Sequence, residues 1–144
     1  TRCIFVGGQT PSDSNVIDYI NFASTGNAAD FGNILAAGYG MGCTSSSTRG
    51  IISGGDAPGV QNVIQFIEMA STGNATDFGD LTVQSGQGGF TGMSNSLRGI
   101  FAGQGATNVM QYITIATLGN SIDFGNLILA TSQGAAGCNK QGGL

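Results

Sequence analysis

The chain contains no histidine and no tryptophan, and only 8% of its 144 residues are charged. Without histidine the common zinc-ligand sets are incomplete, and proton transfer near neutral pH would need a carboxylate or thiol with a strongly shifted pKa. Four basic residues are also too few for the cluster of lysines and arginines that a phosphate backbone requires. We therefore predict that the protein is not an enzyme, uses no cofactor and binds no nucleic acid.

Long apolar runs are missing as well. No stretch approaches the ~18 consecutive apolar residues that a membrane-spanning helix needs, so we predict no membrane insertion. No charged-then-apolar leader opens the chain, and its first residue is Thr1 rather than methionine, from which we expect either processing or a segment of something longer. The odd set of cysteines, Cys3, Cys43 and Cys138, cannot pair completely, and we expect small buried apolar side chains.

Glycine is abundant instead, with 26 residues. It follows no three-residue period, which excludes collagen, and the 40% apolar fraction is too high for disorder. Glycine with β-branched and aromatic residues, and with almost no lysine or glutamate, favours β-structure.

One segment occurs three times: ASTGNAADFG at 23–32, ASTGNATDFG at 70–79 and ATLGNSIDFG at 116–125. The aspartates at 30, 77 and 123 are 47 and 46 residues apart, and arginines at 2, 49 and 98 keep nearly the same spacing. A fixed period of this size is typical of repeat proteins, in which one unit cannot bury its apolar face alone. We therefore predict one repeat domain over 1–144, with units 2–48, 49–97 and 98–144.

Each unit contains four predicted short strands. The first is an apolar run ending at glycine, and the second is rich in Val, Ile, Tyr and Phe, although a short amphipathic helix is the alternative there. The third ends at a phenylalanine after the Gly-Asn turn, and the fourth is rich in small residues, which places it innermost. In the first unit these stretches are 4–8, 15–23, a segment ending at Phe31, and 35–43. The small-residue stretch of the third unit is 129–138.

Four-stranded units with a period of about 40–50 residues predict an all-β fold and a β-propeller with three blades in this chain. The competing architecture is a β-solenoid, whose rungs are usually shorter, about 20–30 residues.

The Gly-Gly after the first strand and the aromatic second strand resemble the kelch repeat. The residues that carry this resemblance are Gly7-Gly8, Gly54-Gly55, Asp18-Tyr19, Gln65-Phe66 and Gln111-Tyr112. The kelch tryptophan is absent, so Phe31, Phe78 and Phe124 are expected to take its packing role. The TGNATDFGDL segment resembles a repeat of tail-fibre and other virion proteins of marine bacteriophages. That resemblance implies a structural module on a virion, outside the cell, and no catalytic residue.

Propellers have about 4–8 blades, so three blades leave open edges. If the innermost, small-residue strand is counted as the first strand of a blade, the chain opens at the second strand of one blade and ends after the first strand of another. We predict a C₂ homodimer with six blades, the alternatives being a filament or a piece of a longer propeller.

The repeated charges predict a scaffold. In a chain this poor in charge, one arginine and one aspartate per unit suggest a bidentate bridge, so we predict pairing between Arg2, Arg49 and Arg98 and Asp30, Asp77 and Asp123. An anion-binding ring of arginines and aspartates that only accept backbone N–H groups in turns are the alternatives. Calcium is not predicted, since one carboxylate per turn falls short of about 6–8 oxygen ligands.

Two kinds of side chain are candidates to contact a surface glycan. Gln9, Asp56 and Gln104 are polar residues on the variable loops, and Tyr39 and Phe90 are aromatic residues that lie off the strict repeat. The predicted function is thus display or host-surface attachment, with neighbouring virion proteins or a glycan as partners. The alternative is a stand-alone propeller lectin that binds glycans at its loops.

Overall fold

The computed structural model describes residues 1–84, 91–103, 107–131 and 134–138. Within these ranges the chain forms eleven β-strands in three antiparallel sheets and no helix, which confirms the predicted all-β class. It follows that no helix of the described part is long and apolar enough to cross a membrane.

The three sheets follow one another along the chain, and hydrogen-bonded neighbours within each are consecutive in sequence. The first sheet has three strands, β1 (Arg2–Val6), β2 (Val16–Asn21) and β3 (Ala29–Asn33). The second has four, β4 (Gly42–Ser45), β5 (Arg49–Ser53), β6 (Val63–Glu68) and β7 (Thr76–Asp80). The third also has four, β8 (Thr91–Ser94), β9 (Arg98–Ala102), β10 (Thr107–Thr114) and β11 (Ile122–Thr131).

The aromatic-containing stretch of each unit is a strand, as predicted, and not a helix. These strands are β2, β6 and β10, and each pairs with a neighbour on both sides. Because their neighbours satisfy the backbone, their apolar residues can be buried on both sheet faces.

The boundaries of the sheets are offset by one strand from the boundaries of the sequence units. The small-residue strand β4 lies in the first unit but pairs with β5 of the second, with Cys43 opposite Ile52. In the same way β8 of the second unit pairs with β9 of the third. Among the described residues no such strand pairs with β1, so β1 is the edge of the first sheet as described.

The small-residue strand is also shorter than the predicted 35–43. The strand begins at Gly42, because the backbone before it is committed to a loop instead of a sheet ladder. Gly38 N donates to Ser14 O at 3.0 Å and Gly38 O accepts from Gly8 N at 2.8 Å. Gly40 then turns the chain with φ of 68°, a conformation that favours glycine. The predicted strand over 129–138 is likewise different, since β11 ends at Thr131 and 134–138 lie outside any strand.

Two apolar cores lie between successive sheets. We call the side of each sheet that faces the next one its front face, and the opposite side its back face. The core between the first and second sheets joins the front-face residues Ile17, Phe31 and Ile34 to the back-face residues Ile52, Ile67 and Ala75. The core between the second and third sheets joins Ile51, Ile64, Phe78 and Leu81 to Phe101, Ile113 and Ile115. Burial of each large side chain contributes roughly 1.5–3 kcal/mol.

The repeated Gly-Asn segment pairs the second and third sheets each with the one before it. Gly73 N donates to Phe31 O at 2.7 Å and Ala75 N to Asn33 O at 2.8 Å. The next junction repeats these bonds, from Gly119 N to Phe78 O and from Ser121 N to Asp80 O, each at 2.9 Å. The approach is so close that a Cβ atom on Gly32 or Gly79 would collide with the backbone of the following segment. The motif is therefore an inter-sheet contact as well as a turn.

Candidate functional site

The most elaborate loops lie at the end of the sheets where β1 and β5 end. We call residues 7–15, 36–41 and 54–62 the loop face. Loop 7–15 is closed by backbone bonds from Gly7 N to Val16 O, 2.9 Å, and from Ser14 N to Gly8 O, 2.8 Å. Loop 54–62 has the equivalent bonds, from Gly54 N to Val63 O, 2.9 Å, and from Gln61 N to Gly55 O, 3.0 Å. Both loops are therefore built the same way.

The segment 36–41 ties the two loops together. Gly38 is bonded to both sides of the first loop, as described above. One residue later, Tyr39 O accepts from Asp56 N at 2.9 Å, and the two residues form an isolated β-bridge. The structure thus brings together two predicted binding residues that are 17 positions apart in the sequence.

Tyr39 offers an aromatic surface on this face, with 37% of the residue exposed beside the half-buried Asp56. Gln9 holds the position in the first loop that Asp56 holds in the second, and its Nε2 donates to Asp13 Oδ1 at 2.9 Å. An amide, two carboxylates and a partly exposed ring can donate, accept and stack, which is the chemistry that sugar hydroxyls and sugar faces require. Phe90 and Gln104 lie outside the described residues, so their places relative to this face are not assigned.

The arginines do not pair with the aspartates of the repeat, and this prediction was wrong. Each guanidinium lies over the aromatic ring of its own second strand. Its carbon is 4.9 Å from the Tyr19 ring centre for Arg2, 4.7 Å from that of Phe66 for Arg49 and 4.8 Å from that of Tyr112 for Arg98. Each of these rings also meets the phenylalanine of the third strand edge to face. The side chains form stacks because the arginine strand lies beside the aromatic strand.

Two of the arginines also reach the next sheet. Arg2 donates to Met69 O and Arg49 to Ile115 O, each at 3.0 Å. In the part of the chain that the structure describes, the ion pair is between Arg49 Nε and Glu68 Oε1, 3.1 Å apart and opposite each other on β5 and β6. All three arginines thus contact rings, Arg2 and Arg49 also donate to carbonyls, and Arg49 pairs with one glutamate.

The repeated aspartates are exposed on the outer strands β3, β7 and β11. Asp123 Oδ1 accepts from Gly125 N at 3.2 Å. At this one position the aspartate therefore accepts a nearby backbone N–H group, as the alternative prediction proposed. Asp30 lies opposite Asp18 on β2, whereas Asp77 and Asp123 lie opposite glutamines. Among the described residues, no three side chains of His, Cys, Asp or Glu are grouped so as to hold a metal ion.

A second concave region lies beside β1, a cavity of about 1070 Å³ that all three cysteines line. The expectation that they are buried was wrong: Cys3 is half-buried, and Cys43 and Cys138 are exposed to the cavity. Cys43 is surrounded by protein atoms on its other sides. This burial, with a smaller contribution from the Cys3 thiol, raises the pKa of Cys43 to about 11. It is therefore a thiol at neutral pH, and a poor nucleophile.

Two contributions to this architecture escaped sequence reasoning. The glutamines Gln65 and Gln111 are buried and bridge adjacent sheets, the first accepting from Leu35 N at 2.8 Å and the second from Thr82 N at 3.0 Å. Their recurrence opposite the repeated aspartate was the available signal. The asparagines of the second and third Gly-Asn turns bridge sheets too, since Asn74 Oδ1 accepts from Asn33 N at 3.0 Å and Asn120 Oδ1 from Asp80 N at 2.9 Å.

The chain matches no family model, and the comparison with curated proteins gives no significant match.

Proposed function

We propose that this protein is a non-enzymatic structural and binding module built of kelch-like β-propeller blades, which displays its loop face to a ligand. We further propose that it belongs to a phage virion or tail appendage and that the ligand is a glycan on the host surface. The virion assignment is supported by the resemblance of the TGNATDFGDL segment to virion repeats.

The propeller proposal is supported by the way the sheets succeed one another. Each sheet is an antiparallel meander, and the front faces of the first and second sheets pack on the back faces of the second and third. The small-residue strands come close together on one side, since a Cβ atom on Gly92 of β8 would collide with the Cys43 carbonyl of β4. Meanders stacked face to face around converging inner strands are the plan of a propeller.

The binding proposal is carried by the loop face. Its loops are joined by backbone hydrogen bonds to a shared connecting segment, so the loop backbones are held in place before any ligand arrives. Preorganisation of this kind lowers the entropy lost on binding. Tyr39, partly exposed and bridged to Asp56, supplies a stacking surface with a carboxylate beside it. Gln9 lies on the other loop, next to Gly8, whose N donates to Gly38 O.

A glycan array of bacterial surface polysaccharides, probed with the labelled 144-residue chain, tests this proposal. We expect Tyr39→Ala to weaken binding to any glycan found by about tenfold, because it removes the stacking surface. The matched control is Leu97→Ser, an equally simple truncation of a side chain that is 67% exposed in the turn before β9, at the opposite end of the sheets. Equal affinities of wild type and the Tyr39 variant would contradict the assignment of the loop face.

A stand-alone lectin would use the same side chains, and the loop face supports that alternative equally. The two are separated by the source material. Co-purification of the protein with assembled virions supports the virion module, whereas its recovery as a separate soluble protein that binds glycans supports the lectin.

A further inference from the structure

The back face of the first sheet is exposed at positions where the other two sheets are buried. Phe5 is 54% exposed and Phe22 is 68% exposed. The equivalents of Phe5 are Ile52 and Phe101, both 0% exposed, and those of Phe22 are Met69, half-buried, and Ile115, 1% exposed. The difference arises because the second and third sheets have a sheet packed behind them and the first has none.

The front face of the third sheet is exposed in a complementary way. Phe124 is 46% exposed, although its equivalents Phe31 and Phe78 are only 2% and 3% exposed. Around it Met110 and Leu127 are half-buried, where the first two sheets bury their equivalents almost completely. The chain therefore carries both halves of one more apolar core.

The polar groups of one more junction are present as well. The exposed segment 26–28 is the first unit's version of 73–75 and 119–121, which supply the backbone and asparagine bonds to the preceding sheet. On the third sheet, a Cβ atom placed on Gly125 would have open space, with Met110 Cε as the nearest atom at 4.0 Å. A Cβ atom on the equivalent Gly32 or Gly79 would meet the backbone of the next sheet. The Arg98 side chain projects from the third sheet as Arg49 does from the second. Arg49 donates to Ile115 O, and the residue of the first unit that is equivalent to Ile115 is Phe22. Phe22 O is therefore the equivalent acceptor for Arg98.

We infer that the front face of the third sheet binds the back face of the first sheet of a second copy of this chain. In this junction Phe22 of the second copy packs on Phe124, and Arg98 donates to the carbonyl of that same Phe22. The segment 26–28 of the second copy pairs with the outer strand β11. Every one of these contacts repeats one that the chain already makes twice within itself.

The junction joins different faces, so it is head-to-tail, and such contacts either close into a ring or grow into a filament. Two copies give six sheets and two identical junctions, within the range of about 4–8 blades in propellers. Three copies would give nine sheets, outside that range. The junction depends on the repeat alone, whereas closure at six sheets rests on the proposed propeller architecture.

The second copy also supplies a strand for the edge β1. The partner of β5 is β4, which follows β3, and the partner of β9 is β8, which follows β7. By the same order the end of the segment 134–138, which follows β11, pairs with the next sheet's first strand, because Gly137 and Cys138 are the equivalents of Gly42 and Cys43 in β4. It already runs beside β8, where Cys138 Sγ donates to Ser94 O at 3.2 Å. In the ring it pairs with β1 of the second copy.

The test is the solution mass of the 144-residue chain by light scattering over a concentration series, with two variants. We expect wild type at twice 14.4 kDa. Phe22→Ser and Phe124→Ser each alter a side chain that is largely exposed in one chain, and each should raise the dimer dissociation constant by about 10³-fold. That figure follows from two junctions per dimer, each weakened about 30-fold by loss of a central aromatic. Leu97→Ser, 67% exposed but on neither face, is the control and should remain dimeric.

Mixing the two variants tests the head-to-tail arrangement. The Phe22 variant keeps an intact front face and the Phe124 variant an intact back face, so a mixture restores one junction and should associate more tightly than either alone. A monomeric wild type, a dimer that survives Phe22→Ser, or no recovery on mixing would each overturn the inferred junction. A wild-type mass of three or more copies that both variants reduce would support the junction and overturn closure at six sheets. Thermal unfolding of each variant shows whether it is folded. Glycan binding by the loop face is measured separately, so the two proposals can fail independently.

Discussion

Arg49→Ala should destabilise the protein far more than Asp77→Asn. The arginine donates to Ile115 O across the junction at 3.0 Å, lies 4.7 Å from the centre of the Phe66 ring, and pairs with Glu68 at 3.1 Å. A charged hydrogen bond is worth about 1.5–3 kcal/mol, a cation–π contact about 0.5–1 and an exposed ion pair about 0.2–1. Because Glu68 is 51% exposed, its pairing counts at the low end, and the whole change should cost about 2–4 kcal/mol.

Thermal unfolding followed by circular dichroism measures this effect. A loss of about 2–4 kcal/mol corresponds to a fall in Tm of roughly 5–15 °C for a chain of this size. Glu68→Gln, which removes only the ion pair, should lower Tm by about 1–3 °C. Asp77→Asn should change it by no more, since the aspartate is exposed and shares no ion pair with an arginine.

Arg98→Ala is the internal control, measured at a concentration low enough to keep the chain monomeric. Arg98 has the ring contact, at 4.8 Å, while its expected carbonyl acceptor lies on a second copy. Its loss should therefore cost about 1 kcal/mol. Equal falls in Tm for Arg49→Ala and Asp77→Asn would refute this reasoning and restore the Arg–Asp bridge.

Three further predictions follow from single positions. Gly79→Ala should lower Tm much more than Gly125→Ala in the monomer; both glycines have positive φ, 148° and 133°, but only the first would meet the next sheet's backbone. Asp18→Gln should raise Tm and tighten dimerisation measured by light scattering, because it removes a carboxylate opposite Asp30 and restores the amide of the internal junctions; an unchanged dissociation constant would contradict this. Cys43 should react with iodoacetamide at pH 8 about 100-fold more slowly than an ordinary cysteine, since its pKa is raised to about 11 from 9.0. Because the folded state binds this proton more tightly than the unfolded state, the free energy of unfolding should fall as the pH rises from 9.0 to about 11. Cys43→Ser should abolish that fall in alkaline unfolding curves.

The sequence predicted what depends on local pattern. Within the predicted stretch 15–23, Val16–Asn21 form a strand because their Val, Ile and Tyr fit a sheet paired on both sides, and the Gly-Asn turn after them is where a turn was expected. The offset between sheets and units also followed from sequence, since the small-residue strand precedes the arginine with which its sheet continues. These features depend on neighbours in the chain, so a single sequence is sufficient to find them.

Long-range contacts were predicted less well. The pairing of Arg49 with a ring and a distant carbonyl depends on which strands are adjacent and where the next sheet begins. A repeated arginine and a repeated aspartate are compatible with a bridge in sequence, but β5 places the arginine opposite Glu68 and β6 places Gln65 opposite the aspartate. In the candidate site, the contact between Tyr39 and Asp56 required the connecting segment to cross between two loops, which no periodicity indicates.

The three units also separate two kinds of repeated residue that the sequence alone cannot distinguish. Residues that pack within their own sheet have similar surroundings in every unit, as Tyr19, Phe66 and Tyr112 do: each is half-buried under an arginine. Residues that pack between sheets have surroundings that depend on the unit. Phe22 is 68% exposed and its equivalent Ile115 is 1% exposed, because a sheet packs against Ile115 and none of the described sheets packs against Phe22. The exposed apolar residues occupy positions that a neighbouring sheet of the same repeat covers elsewhere in the chain, so their shape and chemistry match such a sheet. For this reason the exposed phenylalanines of the first and third sheets are better explained by a second copy than by binding of an unrelated ligand.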